Sequence, residues 1–260
     1  MNEIVLPNPT PTSQGTVVEQ TRAAAEVAAA VSVARNFPRD QGVAIEAMKE
    51  LCSRLSVAQR AFYEVPNRGA GMSVHIAREL ALIWRNIDHG VRELSRDDLN
   101  GESEMQVWAW DQENNVRSTR SFIQPHAKST RQGRKELTDL NDIYLNNQNT
   151  GARAVREAIF TVIPDWFLAD AEALLRETLV NGDGKPIAQR RSEAAAGFMN
   201  ALRVSQAQLE ARLKTPMGQW TASQLADLSR VYTSIAVDGI PAAEFFPEQT
   251  AIVPKAGDAS

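Results

Sequence analysis

Two β-prone segments around a four-residue polar break are the strongest constraint on the fold of this 260-residue chain. Residues 104–110 and 116–123 flank the sequence QENN at 112–115, a composition suited to a chain reversal. Further strands are predicted at 60–65 and 87–94, whereas helical spacing dominates elsewhere. We therefore predict an α+β fold, with a small antiparallel sheet containing a long hairpin and surrounded by helices.

Helix start and stop signals divide the chain further. A helix is predicted over 17–36, and Asp40 is placed to cap a second one. A glycine-containing loop at 67–71 leads into a helix at 73–84, and helical patterns return between 138 and 180. Two capping-box patterns, Ser205 with Gln208 and Thr221 with Gln224, indicate short helices near the C-terminus.

The predicted organisation has five parts. A flexible tail over 1–16 precedes a core over 17–180. The breakers between Asn181 and Pro186 predict a linker over 181–191. A small C-terminal helical bundle over 192–238 is then followed by a second flexible tail over 239–260, which is rich in proline and alanine.

Basic residues are concentrated in one acid-free segment between Asn114 and Lys135. The chain has 28 basic and 32 acidic residues; without this segment 22 basic residues stand against 32 acids, a balance of −10. This concentration predicts a polyanion-binding surface, and a solvated loop or surface ion pairs are the alternative. The basic residues are Arg117, Arg120, Lys128, Arg131, Arg134 and Lys135.

Two further patterns adjoin this segment. Arg153 and Arg156 lie three apart on a predicted helix, away from its apolar side of Val155, Ile159 and Val162. Trp108 and Trp110 share one face of the first hairpin strand, and Met105, Val107 and Ala109 share the other. The tryptophans either stack on nucleic-acid bases or are buried under helices or against a neighbouring subunit.

No catalytic or metal-binding pattern is present. The three histidines, His75, His89 and His126, lack metal-site spacing, and Cys52 is the only cysteine. Gly184-Lys185 lacks the other residues of a phosphate-binding loop. We expect no enzyme activity, metal or cofactor. A single cysteine, no export leader and no membrane-spanning segment lead us to expect a cytoplasmic protein without a membrane partner.

Several segments resemble a known family. Phe62-Tyr63-Glu64-Val65-Pro66 is followed by a glycine-containing loop, a helix, Asn86-Ile87-Asp88 and the long hairpin. The sequences LTDLNDIY at 137–144 and GARAVR at 151–156, followed by Ile163-Pro164, continue the pattern. Over roughly residues 40 to 180, this order resembles the phage single-strand annealing proteins of the Red beta and RecT type.

The resemblance implies single-stranded DNA binding, assembly into rings or filaments, and annealing of complementary strands in recombination without nucleotide hydrolysis. It implies that the C-terminal helices dock on an exonuclease or a host single-strand binding protein, in the host cytoplasm. The helix with Arg153 and Arg156 is less basic than in Red beta. A DNA-binding protein without annealing activity and a phage scaffold oligomer are the alternatives. The implied DNA contacts are Arg117, Arg120, Lys128, Arg131, Arg134, Lys135, Arg153 and Arg156.

Overall fold

A computed structural model describes residues 14–66, 69–130, 133–237 and 239–246. The described residues form ten helices and seven strands, which confirms the predicted α+β class. The helices are α1 (Gln14–Asn36), α2 (Gln41–Cys52), α3 (Leu55–Ala58), α4 (Val74–Trp84), α5 (Leu140–Val162), α6 (Asp165–Asn181), α7 (Ile187–Leu202), α8 (Gln206–Leu213), α9 (Ala222–Ala236) and α10 (Ala242–Phe245). The strands are β1 (Phe62–Val65), β2 (Gly69–Met72), β3 (Ile87–Asp97), β4 (Glu102–Asp111), β5 (Val116–Pro125), β6 (Ala127–Thr130) and β7 (Gly133–Glu136).

The long hairpin is the centre of the main sheet. Strands β3, β4 and β5 pair antiparallel in sequence order, and the predicted hairpin is confirmed as β4 and β5. Two hairpins were not predicted. Residues 69–72, expected in a loop, pair with β1, and the polar segment after Pro125 forms the β6–β7 hairpin.

Helix α5 covers one face of this sheet, which we call the inner face. Met105, Val107 and Ala109 of β4, which were predicted to share one face, are fully buried on it. Gly151 allows the close approach, because a Cβ there would lie 2.5 Å from Cγ2 of Val91. The helix and sheet therefore form one continuous core with α2, α4 and α6.

The predicted capping residues begin the helices that they were assigned to. Asp40 accepts a hydrogen bond from the backbone N–H of Val43 at the start of α2. Ser73, which was not predicted as a cap, accepts one from Ile76 at the start of α4. Complete capping boxes are present at the starts of α8 and α9. These helix starts are therefore fixed by local sequence.

The C-terminal helices form a second core and pack against the first. Phe198, Trp220 and Leu228 are buried in this second core. Helix α9 contacts β1 and α6. The Ser234 hydroxyl accepts a 2.8 Å hydrogen bond from the Glu64 backbone N–H, and the Thr233 hydroxyl donates to the Gln59 carbonyl.

Two predicted boundaries differ from the structure. Only a short 3₁₀ turn and two residues separate α6 from α7, so most of the predicted linker over 181–191 is helical. Arg190 of α7 donates hydrogen bonds to the carbonyls of Leu179 and Val180, which ties α7 to the end of α6. In the predicted tail over 239–260, α10 and Phe246 close the second core, and residues 247–260 lie outside the described part.

The predicted N-terminal helix is confirmed and begins at Gln14, within the interval expected to be a flexible tail. Residues 1–13 of that interval lie outside the described part of the chain. Among the helices that are described, none has the length and apolar character needed to cross a membrane.

Candidate nucleic-acid interface

Strand β5 carries the first predicted basic residues along the edge of the main sheet, since its only strand partner in the described chain is β4. Arg117 stands opposite Trp110, and Arg120 stands opposite Val107. Because directly opposed residues share a face, Arg117 lies on the outer face and Arg120 on the inner face, beside α5. Both side chains are exposed, so the edge presents positive charge on both sides.

His126 fixes the direction of the chain after β5. Its backbone N–H donates to the Gly101 carbonyl at 2.7 Å, and its carbonyl accepts from the N–H of Leu137 at 2.8 Å. Its buried ring places Nε2 2.8 Å from the Ser103 hydroxyl, which also accepts from the side chain of Asn147. This network holds the start of the β6–β7 hairpin against β4 and α5.

The β6–β7 hairpin brings two lysines together. Lys128 and Lys135 are directly opposite each other, exposed, and without an ion pair among the described residues. Like charges directly opposite each other destabilise a strand pair, so a bound anion would stabilise this one. Arg134 instead pairs with Glu136 at 2.7 Å. Arg131 lies outside the described residues.

The two arginines of α5 have different surroundings. The apolar side of Val155, Ile159 and Val162 is buried, as predicted. The Arg156 side chain is only 14% exposed; its guanidinium lies 4.3 Å from the centre of the Tyr63 ring and pairs with Glu157. Arg156 is therefore engaged within the protein.

Arg153 is exposed and lies on the β5 side of α5. Asn146, seven residues earlier and so on the same helical face, donates hydrogen bonds to the carbonyls of Pro125 and Ala127. Arg153 consequently follows Asn146 two turns along the same side of the helix, next to the strand that carries Arg120.

The tryptophans lie on the outer face of the sheet, which α5 does not cover. Trp108 lies flat over β3, where a Cβ on Gly90 would come within 2.6 Å of the indole. Its Nε1–H donates to Asp88 at 2.7 Å, and the Arg92 guanidinium lies 5.3 Å from its ring centre. Arg92 was not predicted as a site residue; only the β3–β4 register brings it to Trp108.

Trp110 is the more enclosed of the two, at 8% exposure. Its Nε1–H donates to Asn115, and the Arg117 guanidinium lies 5.8 Å from its ring centre. Neither tryptophan belongs to the core under the helices. An arginine approaches each ring, and Trp108 is half-buried.

Five predicted residues thus remain exposed without an acidic partner among the residues that the structure describes. They surround the β5 edge and its continuation into the β6–β7 hairpin. We call this surface the basic edge. It consists of Arg117, Arg120, Lys128, Lys135 and Arg153.

Within the part of the chain that the structure describes, the other reactive groups do not assemble into a site. Burial raises the pKa of the Cys52 thiol to about 11, which keeps it protonated at neutral pH. Burial, followed by the charge of Arg78, lowers the pKa of His89 below its usual value. Nowhere in the described residues do three His, Cys, Asp or Glu side chains converge as a group that could hold a metal ion.

The fold and surface define an acidic α+β protein with an exposed basic edge on an antiparallel sheet. Comparison with protein-family models, curated proteins and solved structures finds no match to the chain.

Proposed function

We propose that this protein binds single-stranded DNA along the basic edge and, as an oligomer, anneals complementary strands in recombination without a nucleotide cofactor. The observation that carries the proposal is the facing pair Lys128 and Lys135, which has no acidic partner among the described residues and continues the line of Arg117 and Arg120. The resemblance to phage annealing proteins supports the same activity.

The spacing of these charges suits a flexible phosphate chain. Arg117 and Arg120 lie three residues apart on β5, about 10 Å along the strand and on opposite faces, so a phosphate chain that follows the sheet edge can be reached from both faces. The cations lie on a strand, a hairpin and a helix that are each held by backbone hydrogen bonds, so the backbone that carries them is already ordered before binding. Contacts to phosphates carry no sequence information, which makes binding indifferent to sequence.

Annealing requires only that the bases stay free. Neutralising the phosphates of two strands lowers their mutual repulsion, and complementary bases can then pair. The tryptophans favour this arrangement over a protein that stacks bases on open aromatic rings, because Trp110 is 8% exposed and Trp108 is half-buried, with the Arg92 guanidinium over its ring.

The partners of this function are single-stranded DNA, the annealed duplex and further copies of the chain. An exonuclease or a host single-strand binding protein would dock on the C-terminal helices, in the host cytoplasm. The C-terminal helices would move as one body with the DNA-binding core, because α9 packs directly on β1 and α6.

The test of the basic edge is a charge-matched pair of double variants. Lys128→Gln/Lys135→Gln removes the facing pair, and Lys49→Gln/Lys185→Gln removes the same charge from exposed ion pairs elsewhere. By fluorescence anisotropy with a labelled 30-mer, we expect the first variant to bind about tenfold more weakly at about 0.1 M salt, since two phosphate contacts are lost. The second variant should bind as the wild type does.

Annealing is measured separately with two complementary strands that carry a donor and an acceptor fluorophore. The proposal expects the wild-type protein to accelerate duplex formation and the Lys128→Gln/Lys135→Gln variant to do so less. Binding without acceleration would identify a single-strand binding protein instead. No binding of either strand would favour a scaffold protein and overturn the proposal.

A further inference from the structure

A cavity of about 380 Å³ lies where the two cores of the protein meet. Residues of α3, the end of α6, α7 and α9 line it. Leu179 belongs to the first core, whereas Phe198 and Leu228 belong to the second. Ligand sites commonly have volumes of roughly 300–1,000 Å³ and are often found between two packed units, so this cavity is a candidate binding site.

The lining of the cavity is mainly apolar. Leu179 and Phe198 are buried, and Leu55 and Ala226 are half-buried beside them. Tyr232 also lines the cavity, and its ring packs edge-on against Phe198 with 5.4 Å between the ring centres. An apolar chain or ring placed here would remove these surfaces from water, which is the main favourable term when a pocket of this kind binds a ligand.

The charged residues of the lining carry an excess of positive charge. Lys185 and Glu193 form an ion pair at 3.0 Å, so these two charges neutralise each other. Arg60 and Arg190 have no acidic partner among the side chains that the structure describes. The Arg60 guanidinium donates to the Ser56 carbonyl at 3.4 Å, and Arg190 donates to two carbonyls of α6. Carbonyls leave both positive charges uncompensated, so the cavity favours an anion although the whole chain has a net charge of −4.

Two hydroxyls of the lining are free to donate as well. Ser229 and Tyr232 are half-buried on α9, and their hydroxyls make no hydrogen bond to any residue in the described part of the chain. The Thr233 hydroxyl, in contrast, already donates to the Gln59 carbonyl. A guanidinium only donates, and it can hold a carboxylate through two parallel hydrogen bonds. These donors select a ligand with a negatively charged end that accepts hydrogen bonds.

We propose that this cavity binds a small apolar carboxylate, of the size of a medium-chain fatty acid. Its apolar part lies against Leu179, Phe198 and Leu228, and its carboxylate lies at the exposed guanidinium of Arg60. At about 30 Å³ for each non-hydrogen atom, the share of one molecule in liquid water, a volume of about 380 Å³ holds on the order of twelve such atoms. Decanoate has this size.

A ligand in this position contacts both cores at once. It therefore binds the folded protein with its cores packed together and not the unfolded chain, so it raises the melting temperature by mass action. The residues that line the cavity are separate from the basic edge, and the inference consequently goes beyond DNA binding and does not depend on it.

The test is isothermal titration calorimetry of the full chain with sodium decanoate at about pH 7. We expect saturable binding of one decanoate per chain, and none of decylammonium, which has the same alkyl chain and the opposite charge. Arg60→Gln should weaken decanoate binding about tenfold, because a charged hydrogen-bond donor is lost. Arg78→Gln, the same change at an exposed site on α4, should leave the affinity within about twofold.

A second variant tests the cavity itself. Ala226→Phe places a ring in the space, so it should abolish decanoate binding and the rise in melting temperature that decanoate causes. Circular dichroism checks that the variants fold. The Arg60→Gln result decides the question if Ala226→Phe does not fold, because Arg60 is exposed and its replacement disturbs no core.

A photoreactive decanoate analogue that carries a diazirine locates the site directly. Irradiation should attach it to peptides from α7 and α9, and labelling confined to other segments would overturn the inference. So would no saturable binding up to about 1 mM decanoate, equal binding of decylammonium, or equal weakening by Arg78→Gln. The Lys128→Gln/Lys135→Gln protein should bind decanoate as the wild type does, so the DNA-binding proposal and this inference fail separately.

Discussion

Arg39 links the segment between α1 and α2 to the end of β4. Its side chain is 3% exposed and donates two hydrogen bonds, of 2.5 and 2.8 Å, to the carboxylate of Asp111. The guanidinium also lies 4.8 Å from the centre of the Trp84 ring. Asp111 in turn accepts from the backbone of Glu113 and Asn114 and so organises the β4–β5 turn. One buried ion pair therefore orders the turn at which the basic edge begins.

We predict that Arg39→Ala lowers the free energy of unfolding by about 3–5 kcal/mol, because it leaves the Asp111 carboxylate buried without its partner. Urea unfolding followed by circular dichroism measures the change. Lys49→Ala breaks an exposed ion pair and should cost less than about 1 kcal/mol. A loss for Arg39→Ala as small as that control would show that the buried pair contributes little.

The Arg39–Asp111 pair also makes the stability of the folded protein depend on pH in the acid range. Burial alone would raise the pKa of Asp111, but hydrogen bonds from Arg39 and Asn114 hold it below its usual value. A carboxyl whose pKa is lowered by folding stabilises the protein fully above the unfolded pKa of about 3.9 and loses that contribution as the pH falls through the folded pKa.

Arg39→Ala should accordingly weaken the acid loss of stability, since without Arg39 burial brings the folded pKa of Asp111 up toward its unfolded value and protonation then favours unfolding less. Melting temperatures recorded between about pH 3 and pH 7 should therefore fall less steeply toward acid in the variant than in the wild type. Curves for wild type and variant that stay parallel throughout the range would contradict it.

At the scale of secondary-structure elements, strand propensity and helix capping account for the strands and helix starts that were predicted from the sequence. The long hairpin was predicted because both of its strands are β-prone. The starts of the helices were predicted because their capping residues form hydrogen bonds within the same short segment. Strand β2, with the sequence GAGM, and strand β6, with AKST, have weak strand propensity and were assigned to loops. Each is a strand because a neighbouring segment pairs with it, and local composition does not predict such pairing.

The β3–β4 pair depends on Gly90, which leaves room for the indole of Trp108. We predict that Gly90→Ala costs about 1–3 kcal/mol, because the added Cβ would lie 2.6 Å from the ring and displace it. Denaturation and tryptophan emission check this together, since Trp108 should become more exposed. Gly218→Ala meets no atom within 4 Å and is the control. Unchanged emission and stability in Gly90→Ala would refute the contact.

For the whole molecule, the acid-free segment corresponds to an exposed basic surface, and two of the eight predicted contacts are engaged within the protein. Glu136 pairs with Arg134 from two residues along β7, whereas Tyr63, distant in sequence, covers Arg156. Only the contact of Arg156 depends on tertiary packing, so local sequence could not reveal it. Local sequence also missed the docking of the C-terminal core, because the contacts of Ser234 and Thr233 reach β1 and the segment before it across about 170 residues.

The basic edge on an otherwise acidic molecule is the central claim, and the salt dependence of single-stranded DNA binding tests it most directly. Five engaged cations predict a slope of about −3.5 for the logarithm of the binding constant against the logarithm of the salt concentration. Anisotropy titrations of a labelled oligonucleotide between about 50 and 300 mM salt give this slope. A slope near −3.5 is expected; no binding, or binding that stays flat across this range, would contradict a DNA-binding basic edge.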